Sequence, residues 1–189
     1  MSEKKYEVTI KGTTPLLQNR FSMADEVKAK PTKRKSVTNK ENDVEDTIYR
    51  LPNKKVYQPS ECIKQSIIEA GKAFKKGRSN MSKIFASFIM ITPEAIIHNN
   101  QNIITDRRAV VIPATRGRIM RNRGRFEVWS LTFDVTILDD NEIDEATLHD
   151  AIDYAGSYVG IGDYRPQKKG MYGRFIVESI KEMKNKKKI

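Results

Sequence analysis

The chain has 189 residues, with 35 lysine and arginine side chains against 24 aspartate and glutamate side chains, and its formal net charge at pH 7 is +11. This length suits one domain, and the excess of cations favours a polyanionic partner such as a nucleic acid. The single cysteine, Cys62, excludes an intramolecular disulfide, and with only two histidines beside it the spacing of a zinc site is absent. No apolar run reaches the roughly 18 residues of a membrane span, so we expect a cytoplasmic protein without a membrane partner.

The chain opens with a predicted strand, and a long insertion follows it. In residues 4–12, Tyr6, Val8 and Ile10 alternate with polar residues, which is the pattern of a half-buried strand. Residues 28–40 hold six cations and no acid, and four acids follow in residues 41–46. Because few apolar residues could anchor this part of the chain, we expect a mobile insertion at about 17–56.

A helix and two strands are predicted next. The helix buries a stripe of residues at helical spacing, namely Ile63, Ile67, Ala70 and Phe74. Proline and serine at positions 59 and 60 suit its start, and Gly77 suits its end. The apolar and β-branched runs 85–98 and 103–113 indicate two strands joined by a turn at residues 99–102.

The last third of the chain is predicted to form a strand, a helix and a second strand. Alternate residues of 126–138 share one apolar face: Trp129, Leu131, Phe133, Val135 and Ile137. A helix with Asp144 as its N-cap follows, and its buried stripe is Leu148, Ile152, Ala155 and Val159. Residues 174–180 form the final strand, before a basic tail. This order predicts an α+β fold, a ferredoxin-like or RNA-recognition-motif-like β-α-β-β-α-β sheet with long insertions and both helices on one face.

An arginine-rich segment, expected to form a loop at about 113–125, is the first candidate for binding. The stretch from 107 to 126 has no acidic residue and seven arginines: Arg107, Arg108, Arg116, Arg118, Arg121, Arg123 and Arg125. The planar guanidinium group binds phosphate through two hydrogen bonds and stacks on bases. Gathering uncompensated cations costs repulsion that a phosphate backbone would relieve, so the segment favours nucleic-acid binding over a plain solvated loop.

The second candidate is the glycine-rich segment 160–175, "GIGDYRPQKKGMYGRF". Glycines let the backbone approach a ligand closely and point successive N–H groups at an anion, although a turn into the last strand is the alternative reason for them. Cations and tyrosines that bases could stack on alternate with these glycines. The predicted binding residues here are Gly160, Gly162, Tyr164, Arg165, Lys168, Lys169, Gly170, Tyr172, Gly173 and Arg174.

This glycine pattern, ending in Gly173, Arg174 and Phe175, resembles the glycine-rich loop of the RAMP superfamily, the RNA-binding proteins of CRISPR effector complexes and their stand-alone, often phage-borne, relatives. Residues 12–22 also resemble the segment after the first strand in that group. The resemblance implies one domain over residues 1–189 that binds single-stranded RNA or DNA along its backbone with little sequence preference. It further implies self-association along the strand, or assembly with other effector subunits.

Some members of that superfamily are ribonucleases, which leaves an endoribonuclease as the alternative function. A metal-independent one would use a general base such as His149, and one with a catalytic loop aspartate would use Asp25. His149 has no evident partner in the sequence, and the pair of Asp25 with the adjacent Glu26 could assist a metal but is common at the start of a solvated loop. We therefore expect a binding protein more than an enzyme. The sequence predicts no metal site and no cofactor.

Overall fold

The computed structural model describes residues 3–21, 43–111 and 116–183. Most of the expected insertion, the weak catalytic candidate Asp25 and the basic tail from residue 184 lie outside these ranges. The strands are β1 (Lys4–Gly12), β2 (Leu16–Gln18), β3 (Tyr57–Pro59), β4 (Lys75–Lys76), β5 (Ser79–Asn80), β6 (Ile89–Thr92), β7 (Ala95–Ile97), β8 (Ile104–Val111), β9 (Arg118–Phe126), β10 (Ser130–Ile137) and β11 (Phe175–Met183). The α-helices are α1 (Ser60–Ala70), α2 (Ser82–Phe88) and α3 (Glu145–Tyr154).

The core is built on a four-stranded sheet with the strand order β11-β1-β10-β6, in which every neighbouring pair is antiparallel. The predicted alternation of β1 is confirmed, because Tyr6, Val8 and Ile10 are fully buried. Val8 lies opposite Phe133, and Ile10 lies opposite Leu131, so the inward residues of β1 and β10 form one apolar surface. Together with a small number of helices, this arrangement makes the fold α+β.

Helices α1 and α3 cover the inward surface of this sheet, as their apolar stripes predict. Ile63 and Ile67 of α1 and Leu148 and Ile152 of α3 are fully buried in the same cluster as the sheet residues. The predicted N-cap is also confirmed, since the Asp144 carboxylate accepts a hydrogen bond from the Thr147 backbone N–H at 2.8 Å. None of the helices in the described ranges has the length and apolar character needed to span a bilayer.

The arginine-rich segment is a strand, and the expectation of a loop at about 113–125 is wrong for its larger part. Strand β9 pairs with β8 from Arg118 opposite Val111 to Arg125 opposite Ile104, and its other edge pairs with β2. Pairing with β8 along residues 118–125, and with β2 at residues 124–126, satisfies backbone hydrogen bonds of β9, while its long charged side chains alternate between the two faces. Residues 112–115, between the two strands in the sequence, lie outside the described ranges.

Two other elements differ from the sequence prediction. Residues 82–88 form α2, where the aromatic and apolar run starting at Phe85 predicted a strand. The tertiary contact overrides this local preference, because α2 packs against α1 and places Phe85 in the core. Strand β10 begins at Ser130 rather than at residue 126, although Trp129 still joins the core and donates from Nε1 to the Thr14 carbonyl at 2.8 Å.

His98 lies immediately after β7 and is buried, with 1% of its surface exposed. Its ring stacks on Phe126 at a centroid distance of 4.5 Å, and its Nε2 atom lies 3.3 Å from the side-chain nitrogen of Gln18. Burial lowers the pKa of His98 to about 4. The imidazole is therefore neutral at pH 7, and its buried position gives it a structural role.

We expect the free energy of unfolding to fall by about 2 kcal/mol between pH 7.5 and pH 5 through His98 alone. The unfolded chain binds the proton below about pH 6.5, whereas the folded protein resists it until about pH 4. The stability that neutral His98 contributes is therefore fully present above the unfolded-state pKa of about 6.5. It is lost as the pH falls towards the folded-state pKa of about 4. Denaturant unfolding at the two pH values measures the loss, and His98→Asn should remove this part of it.

The matched control is His149→Gln, because His149 is solvent-exposed on α3. This variant should keep the full pH dependence of the wild type. An equal pH dependence in His98→Asn and the wild type would contradict the assignment of the effect to His98.

Candidate nucleic-acid interface

The two segments singled out from the sequence meet in the structure. We use the name arginine ribbon for strands β8 and β9 and glycine loop for residues 160–175. In the ribbon, Asp106 lies opposite Arg123, and Arg108 lies opposite Arg121, so these side chains share one face. That face contacts the glycine loop, and the ion pair between Arg123 Nε and Asp163 Oδ2, at 2.5 Å, joins the two segments.

Both tyrosines of the glycine loop lie against guanidinium groups. The Arg123 guanidinium lies 4.7 Å from the Tyr164 ring centre, and the Arg108 guanidinium lies 4.7 Å from the Tyr172 ring centre. Arg108 also donates a hydrogen bond to the Tyr172 hydroxyl. Cation–π contacts of this kind are worth about 0.5–2 kcal/mol each. The tyrosines, which the sequence suggested as platforms for bases, therefore hold arginines in place.

Carboxylates outside the arginine-rich stretch neutralise part of its charge. Asp106, one residue before the stretch, is buried and accepts two hydrogen bonds from Arg108, at 2.6 and 2.7 Å. Arg125 approaches Asp106 Oδ2 at 3.5 Å and pairs with Glu127 at 2.7 Å. The hydrogen bonds that Arg108 donates to Asp106 and Tyr172 raise the pKa of Arg108. Arg108, Arg123 and Arg125 are thus structural cations with local partners.

The other arginines lie at the outer part of the ribbon and on its second face. Among the described residues, Arg116, Arg118 and Arg121 have no carboxylate within ion-pair distance, and Arg116 and Arg118 are exposed. Arg107 is exposed and lies on the other face of the ribbon from Asp106 and Arg108, because side chains alternate along a strand. Positive charge without a carboxylate partner is therefore concentrated towards the ribbon tip.

The glycines of the loop are explained by contacts with the protein's own backbone. Gly173 has a φ of +69°, and a Cβ placed on it would lie 1.8 Å from the Ile161 carbonyl oxygen. Gly162 has a φ of +78°, and a Cβ there would lie 2.5 Å from the Leu17 carbonyl oxygen. The next residue, Asp163, donates its backbone N–H to that same carbonyl at 2.8 Å. These positions require glycine to let the loop pack on β2.

The cations of the glycine loop fall into two groups. Arg165 donates to the Gly162 carbonyl at 3.0 Å, and Arg174 donates to the Ser157 carbonyl, so both stabilise the local backbone. Lys168 and Lys169 are exposed, and Lys169 adopts a left-handed conformation with φ of +62°. The loop therefore adds two solvent-accessible ammonium groups to the charge of the ribbon.

Of the two catalytic candidates, the structure describes only His149. His149 is exposed, and the group nearest to its Nδ1 atom is the neighbouring Asp150 carboxylate at 3.5 Å. Asp25 lies outside the described residues. In the part of the chain that the structure describes, no three His, Cys, Asp or Glu side chains cluster in a way that could hold a metal ion.

Two features of the surface were not predicted. The first is a cleft of about 510 Å³ between β2, α1 and the glycine loop, called the polar cleft below, which is lined by the side-chain amides Gln18, Asn19, Gln58, Gln65 and Gln167. These residues are spread over about 150 positions of the chain, so no local pattern could indicate it.

The second is the outward face of the main sheet, where residues such as Thr9, Thr132 and Asp134 leave no aromatic platform for bases.

Comparison with known proteins supports the fold. No family model matches the chain, and neither does any curated protein. Seventy-five chains of solved structures match it. One is a chain in the cryo-EM structure of the type III-B Cmr-beta bound to cognate target RNA, with a TM-score of 0.65 and 13% sequence identity. The match covers 96% of the present chain and 61% of that chain, and at this identity it shows similarity of fold alone.

We expect Gly173→Ala to lower the free energy of unfolding by about 3 kcal/mol, since the new Cβ would both strain the backbone and collide with the Ile161 carbonyl. Gly77→Ala is the matched control. Gly77 has a similar φ of +62°, but no atom lies within 4 Å of the position that a Cβ would take there, so only the conformational cost of about 1–2 kcal/mol remains. Denaturant unfolding of both variants measures the difference, and equal losses would contradict the close-packing explanation.

Proposed function

We propose that this protein binds single-stranded nucleic acid, RNA or DNA, by gripping the phosphate backbone with little sequence preference. The observation that carries the proposal is the distribution of charge on the arginine ribbon. Arg116, Arg118 and Arg121 have no carboxylate partner among the described residues, whereas the arginines nearer the core do. A guanidinium group with unused N–H donors binds a phosphate through two parallel hydrogen bonds.

The inner arginines support this role by holding the ribbon in place. Arg108 is bound to Asp106 and lies over Tyr172, and Arg123 is bound to Asp163 and lies over Tyr164. These contacts fix strand β9 against the glycine loop before any ligand arrives. A preorganised surface loses less conformational entropy on binding than a mobile one, which favours affinity.

The fold supports the general class of the proposed function, a nucleic-acid-binding protein. The strand order β11-β1-β10-β6, with α1 and α3 on one face, is the order expected of a ferredoxin-like domain. We infer that the chain has a RAMP-type palm of this topology, related in fold to the RNA-bound type III-B complex described above. The proposal includes self-association along the strand or assembly with other subunits, in a CRISPR-type complex or as a stand-alone phage-borne protein.

The mode of binding differs from that of an RNA-recognition motif. An RNA-recognition motif stacks bases on aromatic side chains of its open sheet face. Here the outward positions of the central strands are threonines and charged residues, including Thr9 and Thr132, which hydrogen-bond to each other, and Lys5, which pairs with Asp134. The binding surface is therefore the arginine ribbon with the lysines of the glycine loop.

We expect the triple variant Arg116→Ala, Arg118→Ala, Arg121→Ala to bind a 12-nucleotide single strand about 10–100-fold more weakly at low salt. Each lost phosphate contact removes about 0.7 from the slope of log affinity against log salt concentration, so the slope should become shallower by about 2. Fluorescence anisotropy titrations over a salt series measure both quantities, with RNA and DNA oligonucleotides in parallel.

A charge-matched control separates a defined site from the effect of net charge. Lys75→Ala, Arg78→Ala, Lys83→Ala also removes three exposed cations, but from hairpin β4–β5 and helix α2. This variant should keep most of the affinity and of the salt slope. An equal loss in the two triple variants would overturn the assignment of binding to the ribbon.

A further inference from the structure

The polar cleft has the size of a ligand site. Its volume of about 510 Å³ lies within the usual range of small-molecule sites, about 300–1,000 Å³. Its walls come from the end of β2, one side of α1, Tyr49 and the start of the glycine loop. Asp163 lines the cleft and also pairs with Arg123 of the arginine ribbon, so the two surfaces are adjacent.

The lining of the cleft lacks the excess of positive charge that the whole chain carries. Three carboxylates line it, against the single cation Arg165. Two of them have cationic partners, because Asp163 pairs with Arg123 and Glu69 pairs with Lys72. The third, Glu61, has no ion pair within the described part of the chain. Glu61 and Arg165 then balance each other in formal charge. The cleft therefore suits a neutral group that donates hydrogen bonds.

The hydrogen-bonding groups with unused capacity lie on one helix face. Glu61 and Gln65 are four residues apart on α1, so their side chains are neighbours. A carboxylate accepts two adjacent N–H groups, and a primary amide both donates and accepts. Tyr49 adds an aromatic wall, on which Arg20 lies at 5.9 Å. Guanine matches this set, because its N1–H and N2–H groups adjoin the O6 acceptor.

We propose that the polar cleft receives one unstacked base of the bound strand and prefers guanine, with Glu61 accepting from its N–H groups and Gln65 contacting O6. This inference rests on the proposed function, since the arginine ribbon would hold the strand beside the cleft. Bases of single strands are readily splayed out and recognised on their Watson–Crick edges. The protein then combines sequence-tolerant backbone contacts with a base preference at one position.

The test compares three RNA 12-mers that differ only in the bases: (UUG)4, (UUI)4 and U12. Inosine keeps N1–H and O6 but lacks the 2-amino group. We expect (UUG)4 to bind about tenfold more tightly than U12, and (UUI)4 to lose most of that advantage. The variant Glu61→Gln should bind (UUG)4 no more tightly than U12, while its affinity for U12 stays at the wild-type level or rises slightly.

The chain offers a matched control and an independent readout. Glu94→Gln changes the net charge equally at an exposed position outside the cleft lining, and it should keep the guanine preference. Cys62 is the only cysteine of the chain and lines the cleft, so its rate of alkylation by iodoacetamide reports whether the cleft is occupied. (UUG)4 should slow this alkylation at least fivefold more than U12 at equal saturation.

Each outcome decides between the two proposals. Equal affinities for the three oligonucleotides, with binding that still depends on Arg116, Arg118 and Arg121, would overturn the base site and leave the proposed function standing. Absence of binding by every oligonucleotide would overturn the proposed function and the base site with it. Protection of Cys62 by a lysine-rich peptide, but by none of the oligonucleotides, would assign the cleft to a basic protein partner and overturn the base site.

Discussion

The contact on which the candidate interface depends is the ion pair between Arg123 and Asp163. The Arg123 side chain is only 6% exposed, and a guanidinium group so deeply buried is stable only when a carboxylate and good hydrogen bonds compensate its lost hydration. Asp163 supplies the carboxylate from the glycine loop, and the Tyr164 ring centre lies 4.7 Å from the guanidinium. This contact joins β9 to the glycine loop.

The same interaction explains why the glycine loop has its composition. To bring Asp163 to Arg123, the loop must pass directly over the backbone of β2, where Gly162 faces the Leu17 carbonyl and Asp163 donates to it. A side chain at Gly162 or Gly173 would occupy the space that the crossing backbone needs. The glycines and the arginines, which lie in separate parts of the chain, thus belong to one structural unit.

The arginines of this unit fall into two groups, those paired with carboxylates and those without a carboxylate partner in the described residues. The arginines nearest the core have carboxylate partners in Asp106, Asp163 and Glu127, and they contribute rigidity. The arginines towards the tip do not have such partners in the described residues, and they contribute the electrostatic field that attracts a polyanion. Asp163 belongs to both surfaces, because it pairs with Arg123 of the ribbon and also lines the amide-rich cleft.

The sequence by itself determined the strands and helices in which apolar residues recur at the spacing of a strand or of a helical turn. The alternation of Tyr6, Val8 and Ile10, the stripe of Leu148 and Ile152, and the cap at Asp144 were all predicted, because each depends on neighbours within one strand or one helical turn. The pairs Arg108–Asp106 and Arg125–Glu127 are each two residues apart on the chain, whereas only the tertiary structure decided that Arg123 is paired, because Arg123 and Asp163 are 40 positions apart. Long-range ion pairs of this kind, clefts and helix–strand choices such as that at Phe85 arise from contacts between distant segments, which no local pattern encodes.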